Sequence, residues 1–390
     1  YAKAELLDIP SIGEFYKSSI TIVPLLKAFK KVLPDNAGEF VHWGATSQDI
    51  VDTGMVLLQR DAYQVILRDM KACLGYCLDL AKKYNHTVMA GRTHVVHAIP
   101  ITFGYKAAVW ADELGRDIER IEAVAPRVFV GEMSGAVGTL ASQPEKGLET
   151  QKRMMEILGL GVPTIAWHVA RDSQAEFASV LALCAGTLGR INHEILTLQR
   201  TEILELEEPF FMGKVGSSTM PHKRNPAVLE NVLALCRNVR SIAPSIVESM
   251  VRENERDWGC FLSEWEAIPR ACHMLGCALE KSKNILKNLI VYPKHMERNL
   301  FAQKGLMMSE CVMMHLARKL GRMTAHSIVY KSCMEAYEKE IPLKDVLMHT
   351  PEVTAAFTED EIDHMLNPHT YIGLAPEFVD RVVEKWAKTC

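Results

Sequence analysis

The chain has 390 residues, of which 48% are hydrophobic and 24% are charged, and its net charge is −4. This balance excludes a disordered, collagen-like or coiled-coil protein. The 44 lysines and arginines face 48 aspartates and glutamates without a basic tail, which argues against nucleic acid or an anionic membrane as a partner. The length fits two or three domains of about 150 residues, or one large domain.

The ten cysteines are scattered without a Cys-x-x-Cys pair, and several, such as Cys73 and Cys77, fall in helix-like stretches. Disulfide and zinc frameworks space cysteines differently, so we expect buried free thiols in a reducing compartment. No segment resembles a signal peptide, and the most apolar stretch, Phe177 to Leu188, is too short for a bilayer. The sequence therefore predicts a cytoplasmic protein. Because the chain opens at Tyr1 in a helix-like stretch, we also expect natural residues to precede it.

Long proline-free spans predict a strongly helical protein, since proline kinks or ends a helix. These spans are residues 34–100, 163–209 and 293–342. From Asp52 through Tyr84, apolar residues recur at three- and four-residue steps, which predicts one long helix interrupted only by Gly75. Strand signals are few and short, chiefly residues 127–130.

Two further long helices follow in the chain. A capping-box pattern of Ser173 and Glu176 predicts the start of a helix that runs toward Glu207. The next helix starts at Pro226, a favourable first-turn residue, and Pro244 should kink it. Both are rich in apolar residues, as the central helices of a bundle would be.

Glycine and proline mark three loops, at residues 131–138, 209–226 and 367–369. Short polar breaks near Asp49 and near Tyr292 divide the chain. We therefore predict a small helical domain at residues 1–49, a central long-helix bundle at 50–291 and a helical domain at 292–390.

The segment from Gly216 to Pro226 gathers hydroxyl groups, backbone amides and two cations just before a helix amino terminus. Such a terminus attracts anions. A substrate carboxylate would be held by the loop amides, Asn225 and the Lys223 ammonium group. The alternative is an ordinary capped and solvated loop.

Two other segments carry groups suited to catalysis. His94 and His97 lie three residues apart with no acid or cysteine ligand nearby, so structural histidines are a more common explanation than a metal site. Histidine is nevertheless the side chain best suited to act as an acid or base near neutral pH, which makes His94 a candidate. The segment 42–49 ends in hydroxyl and amide donors that suit a second carboxylate, or that simply cap the helix after Asp49.

Taken together and in this order, the three segments resemble the signatures of the fumarase/aspartase superfamily. The Lys223-Arg224 pair and the tail Asn367–Pro376 resemble the branch that holds adenylosuccinate lyase and 3-carboxy-cis,cis-muconate cycloisomerase. The resemblance implies an all-α, three-domain fold. Its central helices would assemble into a core of about 20 helices in a homotetramer, with active sites shared by three subunits. It implies a small dicarboxylate substrate and no metal or organic cofactor.

The resemblance also implies a reaction: a proton leaves the carbon next to a carboxylate and the neighbouring carbon loses its substituent, typically releasing fumarate. Ser217 would be the general base, with Ser218 as the substitute if the register shifts by one. A serine base needs a loop that excludes water and stabilises its alkoxide. Lys223 and Asn225 would stabilise the doubly charged aci-carboxylate.

By the same resemblance, His94 protonates the leaving group and Glu230 orients it and raises its pKa. A plain surface acid is the alternative for Glu230, disfavoured by its apolar neighbours. Arg256, in the charged stretch 252–258, would contact a distal anionic group unless that stretch is a solvated turn. The remaining residues that match substrate-binding positions are Thr46, Ser47, Gln48, Thr93 and Met220.

The choice of reaction rests on three departures. The segment 42–49 looks more like the cycloisomerase, which favours a substrate other than a purine. Bacterial cycloisomerases tend to carry tryptophan where this chain has His94, which favours elimination. The purine enzyme also uses a histidine in a Lys-His-Asp segment, and the nearest stretch here reads Lys17-Ser18-Ser19-Ile20.

We therefore expect an adenylosuccinate-lyase-like carbon–nitrogen lyase that cleaves an N-succinyl compound to fumarate and an amine, in purine metabolism or another pathway. Muconate cycloisomerisation is the second interpretation. A carbon–sulfur or nitro-group lyase on the same scaffold would use identical core residues. A catalytically silent structural tetramer is disfavoured because Ser217 and His94 are both present.

Overall fold

The structure is a computed structural model that describes residues 3–16 and 22–390. Its helices are α1 Ile9–Tyr16, α2 Val23–Val32, α3 Ser47–Lys83, α4 Phe103–Val128, α5 Gly147–Leu158, α6 Asp172–Leu198, α7 Ala227–Glu248, α8 Trp258–Lys287, α9 Pro293–Leu300, α10 Ser309–Leu320, α11 Arg322–Glu338, α12 Leu343–Met348, α13 Pro351–Thr354, α14 Glu359–Leu366 and α15 Ala375–Trp386. Two antiparallel pairs add β1 Val88–Thr93 with β2 Val96–Thr102 and β3 Leu206–Glu207 with β4 Ile290–Val291. The all-α prediction is confirmed. The predicted departure at Lys17-Ser18-Ser19-Ile20 lies outside the described residues.

The first long helix is confirmed as α3, which runs through Gly75 without a break. It starts earlier than Asp52, at Ser47. Its buried face follows the predicted spacing and includes Val56, Tyr63, Ile66, Met70 and Leu74. Leu58, which also fits the apolar pattern, is instead 65% exposed.

The second long helix is confirmed as α6, which starts at Asp172, but its predicted capping box and its predicted end near Glu207 are wrong. Ser173 lies inside α6, and the Glu176 carboxylate accepts a hydrogen bond from Arg127 Nε at 2.7 Å instead of closing a capping box. The helix ends at Leu198, where the carbonyl oxygen accepts from Glu205 N at 2.9 Å. The chain therefore turns back, and residues 206–207 form a strand rather than a last helical turn.

The expected strand at residues 127–130 is also wrong, because α4 continues to Val128. Val130 makes only an isolated bridge to Gly161. The third long helix, α7, begins at Ala227, one residue after the predicted start, and contains Pro244. No disulfide joins the cysteines within the described residues, and Cys73 and Cys77 are buried as expected.

The chain divides into two compact units: Tyr1–Ile66, Arg120–Leu183 and Asn238–Leu275 form the first, and Leu67–Glu119, Cys184–Arg237 and Gly276–Cys390 form the second. The core of the first unit includes Val56, Met133 and Met155. In the second unit, α10, α11, α12 and α14 enclose a core around Val312 and Leu347. The domain boundaries near Asp49 and Tyr292 remain a prediction. None of the described helices is both long and apolar enough to cross a membrane.

Candidate active site

His94 lies at the tip of the hairpin formed by β1 and β2. Thr93 pairs with Val96, so His94 and Val95 make a two-residue turn. Their φ angles are +49° and +67°, the left-handed geometry that asparagine and glycine normally provide in such turns. A β-branched valine is strained there. The turn leaves Thr93 and His94 exposed, and Val95 is 94% exposed.

A buried ion pair holds this hairpin close to its tip, at Arg92. Arg92 donates from Nη1 and Nη2 to the Glu205 carboxylate at 2.9 and 2.7 Å. Glu205 is fully buried and also accepts from Asn299 Nδ2 at 2.8 Å. Two parallel charge-assisted bonds fix the direction of the guanidinium plane as well as its distance. The hairpin that carries His94 is therefore anchored within the second unit next to β3.

Ser217, the predicted general base, accepts two hydrogen bonds from the backbone. Its Oγ atom accepts from the backbone N–H groups of Met220 at 3.1 Å and Thr219 at 3.3 Å. Donors directed at an oxygen favour its anionic form. Among the residues that the structure describes, no such donors reach the exposed Ser218. The local geometry therefore favours Ser217 over Ser218 as the base.

The first backbone amides of α7 already donate hydrogen bonds to a side chain of the protein. The buried Glu208 carboxylate accepts from Val228 N at 3.1 Å and from Leu229 N at 3.0 Å. A side chain of the protein therefore satisfies these amides of α7, and the carboxylate site formed by the loop amides, Asn225 and Lys223 stays a prediction. Lys223 and Asn225 remain available, and both line a cavity of about 740 Å³ in the second unit.

The same cavity is lined by Met220 and Glu230. Glu230 lies in the first turn of α7 and is exposed, whereas its neighbour Leu229 is buried. The apolar neighbours of Glu230 therefore did not imply burial. No hydrogen bond or ion pair joins Glu230 to His94 within residues 22–390 of one chain, so that pairing stays a prediction.

In the first unit, Gln48 is buried and its amide is already engaged. Its Nε2 atom donates to Asp52 Oδ2 at 3.0 Å and to the His168 carbonyl oxygen at 2.8 Å. Its Oε1 atom accepts from Arg256 Nε at 3.1 Å, and Arg256 Nη2 donates to the Ala136 carbonyl oxygen at 2.9 Å. In this conformation Gln48 orients Arg256 instead of offering a free amide to substrate.

Next to Gln48, Asp49 fastens the start of α3 to a glycine-containing loop. The Asp49 carboxylate accepts from the backbone amides of Thr46 at 2.8 Å, Ser134 at 3.1 Å and Gly135 at 3.0 Å, and lies 2.8 Å from His168 Nε2. Burial works to raise the pKa of Asp49, but the hydrogen bonds from His168 and the amides outweigh it and lower that pKa.

Glu132 completes a buried cluster that sequence reasoning missed. Asp49, Glu132 and His168 offer ligand atoms within 4.8 Å of one another. Glu132 accepts from the Ser134 hydroxyl group and from Trp167 N at 2.7 Å, and burial raises its pKa. These bonds satisfy the three side chains without an ion. Only the position of Asp49 beside a predicted ligand segment signalled the cluster in the sequence.

The charged stretch 252–258 is held by buried charges. Arg252 Nη2 lies 2.6 Å from Glu264 Oε1, and Glu264 also accepts from Arg171 Nε at 2.9 Å. Arg171 in turn donates two hydrogen bonds to Asp52, both at 2.9 Å. One end of the stretch is therefore tied to buried ion pairs, whereas residues 253–255 are exposed around a turn, and Arg256 is a half-buried cation beside Gln48.

The predicted site residues fall in both units. The first unit holds Thr46, Ser47, Gln48 and Arg256, and the second holds Thr93, His94, Ser217, Ser218, Met220, Lys223, Asn225 and Glu230. The structure brings Gln48 to Arg256, and it gathers Met220, Lys223, Asn225 and Glu230 around one cavity. The lining of that cavity in the described part of the chain does not include His94 or Ser217.

Known proteins resemble this chain along nearly its whole length. A family model described as lyase matches residues 16–241, and one described as adenylosuccinate lyase C-terminus matches residues 305–382. The N-acetyl-S-(2-succino)cysteine lyase of Enterococcus italicus is 44% identical over 99% of this chain and 85% of its own length. The adenylosuccinate lyase of Methanocaldococcus jannaschii is 42% identical over 93% of this chain and 79% of its own.

Two further similarities concern the second reaction type and the fold. The 3-carboxy-cis,cis-muconate cycloisomerase of Acinetobacter baylyi is 38% identical over 94% of this chain and 81% of its own length. The solved fumarate lyase from Mesorhizobium sp. BNC1 superposes with a TM-score of 0.91 at 38% identity, over 97% of this chain and 86% of that one. The chain therefore belongs to the fumarase/aspartase superfamily of lyases, in the branch that holds adenylosuccinate lyase and 3-carboxy-cis,cis-muconate cycloisomerase.

Proposed function

We propose that this lyase eliminates the sulfur substituent of an S-(2-succino)cysteine derivative and releases fumarate. The observation that carries the elimination is the pair of backbone donors on Ser217 Oγ. The choice of sulfur is supported by the 44% identity to an enzyme named N-acetyl-S-(2-succino)cysteine lyase. This proposal reverses the order expected from the sequence, where an N-succinyl compound came first and a carbon–sulfur lyase was one of the alternatives.

In the proposed first step, Ser217 loses its hydroxyl proton to solvent and its alkoxide takes a proton from the methylene carbon of the succinyl group. The electron pair left on that carbon spreads into the adjacent carboxylate, which gains a second negative charge. Lys223 and Asn225 stabilise this charge where it develops. The two amides on Ser217 lower the cost of forming its alkoxide.

In the second step, the electron pair forms the carbon–carbon double bond of fumarate while the carbon–sulfur bond breaks. Sulfur leaves with the bonding pair, and His94 supplies a proton to give the free thiol. A cysteine thiol has a pKa of about 8.5, so a thiolate departs with little proton transfer. An amine cannot leave as its anion, so an N-succinyl substrate depends more strongly on His94.

The site is completed in a homotetramer in this proposal. His94 lies at an exposed hairpin tip beside Val95 and Val96, which are 94% and 59% exposed. We place this tip of one copy beside Ser217 and Glu230 of another. Mixed subunits test the arrangement: His94→Ala and Ser217→Ala chains each have reduced activity alone, and co-refolding them raises the activity above that of either variant. If mixing restores none while the tetramer forms, the shared site is refuted.

An N-succinyl amine is the second candidate, favoured by the 42% identity to an adenylosuccinate lyase and by the matching C-terminal family model. The test incubates purified enzyme with N-acetyl-S-(2-succino)cysteine, adenylosuccinate and 3-carboxy-cis,cis-muconate, and follows products by absorbance and mass spectrometry. Fumarate with N-acetylcysteine supports the proposal, and fumarate with AMP supports the second candidate. A lactone formed without fumarate makes the enzyme a cycloisomerase and overturns both.

A further inference from the structure

The two ends of the loop that carries Ser217 are held close together. The buried Gln199 side chain bridges its two legs: Oε1 accepts from Glu208 N at 2.9 Å, and Nε2 donates to the Arg224 carbonyl oxygen at 3.4 Å. Residues 209–223 thus form a loop whose ends are held together by one side chain, as in a compact Ω-loop. We call residues 199, 207, 208, 224 and 292 the neck.

Two consecutive buried acids, Glu207 and Glu208, each form an ion pair with one end of this loop. Glu208 binds Lys214 Nζ at 2.7 Å on the leading leg. Glu207 binds Arg224 Nη1 at 3.3 Å through both carboxylate oxygens on the trailing leg, and the Tyr292 hydroxyl group donates to it. Buried carboxylates are tolerated only when paired. Two buried charges therefore lie at the base of a loop that is otherwise mostly exposed.

The ion pair between Glu207 and Arg224 lies close in the backbone to the proposed substrate-binding residues. Arg224 lies between Lys223 and Asn225 in the chain, and its guanidinium group sits 4.5 Å from the centre of the Phe210 ring. On the other side, Gly216 packs so tightly that an added Cβ would lie 2.4 Å from the Lys223 carbonyl oxygen. A shift of Arg224 therefore moves the backbone next to Ser217.

We propose that Glu207 is a positioning residue for the elimination, which acts through Arg224 to set the places of Lys223, Asn225 and Ser217. This inference rests on the proposed function. Tyr292 supports Glu207, since burial and the hydrogen bond to Glu207 raise the pKa of Tyr292 to about 12 and keep its hydroxyl group a donor at neutral pH. Tyr292 and Glu207 line the same cavity as Lys223 and Asn225.

The kinetic test compares Glu207→Gln, Arg224→Gln and the double variant, at a temperature where circular dichroism shows each variant fully folded. We expect kcat to fall about 10- to 100-fold in each single variant, with KM changed less than about threefold. The double variant should be no worse than the poorer single one, because Glu207 acts through Arg224. The matched control is Glu202→Gln, an exposed acid in the preceding turn, which should keep wild-type kcat.

Limited trypsin digestion measures how firmly the neck holds the loop and needs no substrate. It therefore tests this inference separately from the proposed activity. We expect cleavage after Lys214 and Lys223 to be about tenfold faster in Glu207→Gln than in wild type, and unchanged in Glu202→Gln. Unchanged cleavage in Glu207→Gln overturns the inference. So does wild-type kcat in Glu207→Gln when the loop is cleaved faster. If wild type turns over none of the three test substrates, the proposed function fails and the cleavage rate alone decides for the neck.

Discussion

The ion pair between Arg92 and Glu205, close to the tip of the His94 hairpin, gives a stability prediction with a stated size. In Arg92→Met, the carboxylate of Glu205 loses both charged donors, although it is fully buried and the Arg92 side chain is only 13% exposed. Removing one partner of such a pair costs about 3–5 kcal/mol. Glu205 keeps its hydrogen bond from Asn299, so we expect the lower end, about 3 kcal/mol.

The assay is urea unfolding followed by circular dichroism at one fixed subunit concentration, because assembly also stabilises the folded chain. The double variant Arg92→Met/Glu205→Met replaces both charges with apolar groups and should recover most of the loss. Arg153→Met is the matched control, since Arg153 pairs with Glu156 at 3.1 Å on the surface, and should cost less than about 0.5 kcal/mol. A loss below about 1 kcal/mol in Arg92→Met refutes the reasoning.

Three further predictions concern the chemistry and the buried acid. Ser217→Ala should lower kcat at least about 100-fold, whereas Ser218→Ala should keep most of it, as measured by fumarate release; equal losses would remove the distinction between the two serines. His94→Gln should cost about tenfold or less with a thioether substrate and at least about 100-fold with an N-succinyl amine, and equal losses would contradict the leaving-group argument. The lowered pKa of Asp49 stabilises the fold above the ordinary aspartate pKa of about 3.9, and this stability is lost as pH falls through the folded-state pKa. Asp49→Asn should therefore flatten the decline in unfolding free energy below about pH 5, and an unchanged acid limb in urea titrations would show that Asp49 does not contribute to it.

Local sequence patterns predicted the parts of the fold whose cause is local. The three- and four-residue apolar spacing after Asp52 predicted α3 because a helix buries one face of consecutive turns. The composition of the segments around His94 and Ser217 identified groups suited to acid and base chemistry. The structure then showed features of both segments that no pattern announced: a strained turn under His94 and two amide donors on Ser217.

What the sequence did not reveal depends on contacts between distant residues. The β1–β2 hairpin was missed because Pro100 and Gly91 look like loop residues, whereas in the sheet Pro100 pairs with Ala90 and Gly91 lies at a bulge. Glu208 accepts from the first amides of α7, 20 and 21 positions later in the chain, and Glu132 meets His168 from a separate segment. Such partners follow from tertiary structure, which a single sequence without an alignment does not display.

The two-residue turn at the hairpin tip places a strained and exposed side chain, Val95, next to the proposed acid His94. A chain selected only for stability would gain about 1 kcal/mol or more by placing glycine where Val95 adopts its left-handed conformation. It would also avoid presenting a valine that is 94% exposed to water. Val95→Gly should therefore stabilise the isolated fold, and a loss of fumarate release in the same variant would identify the strained turn as a trade-off between stability and activity next to the proposed acid.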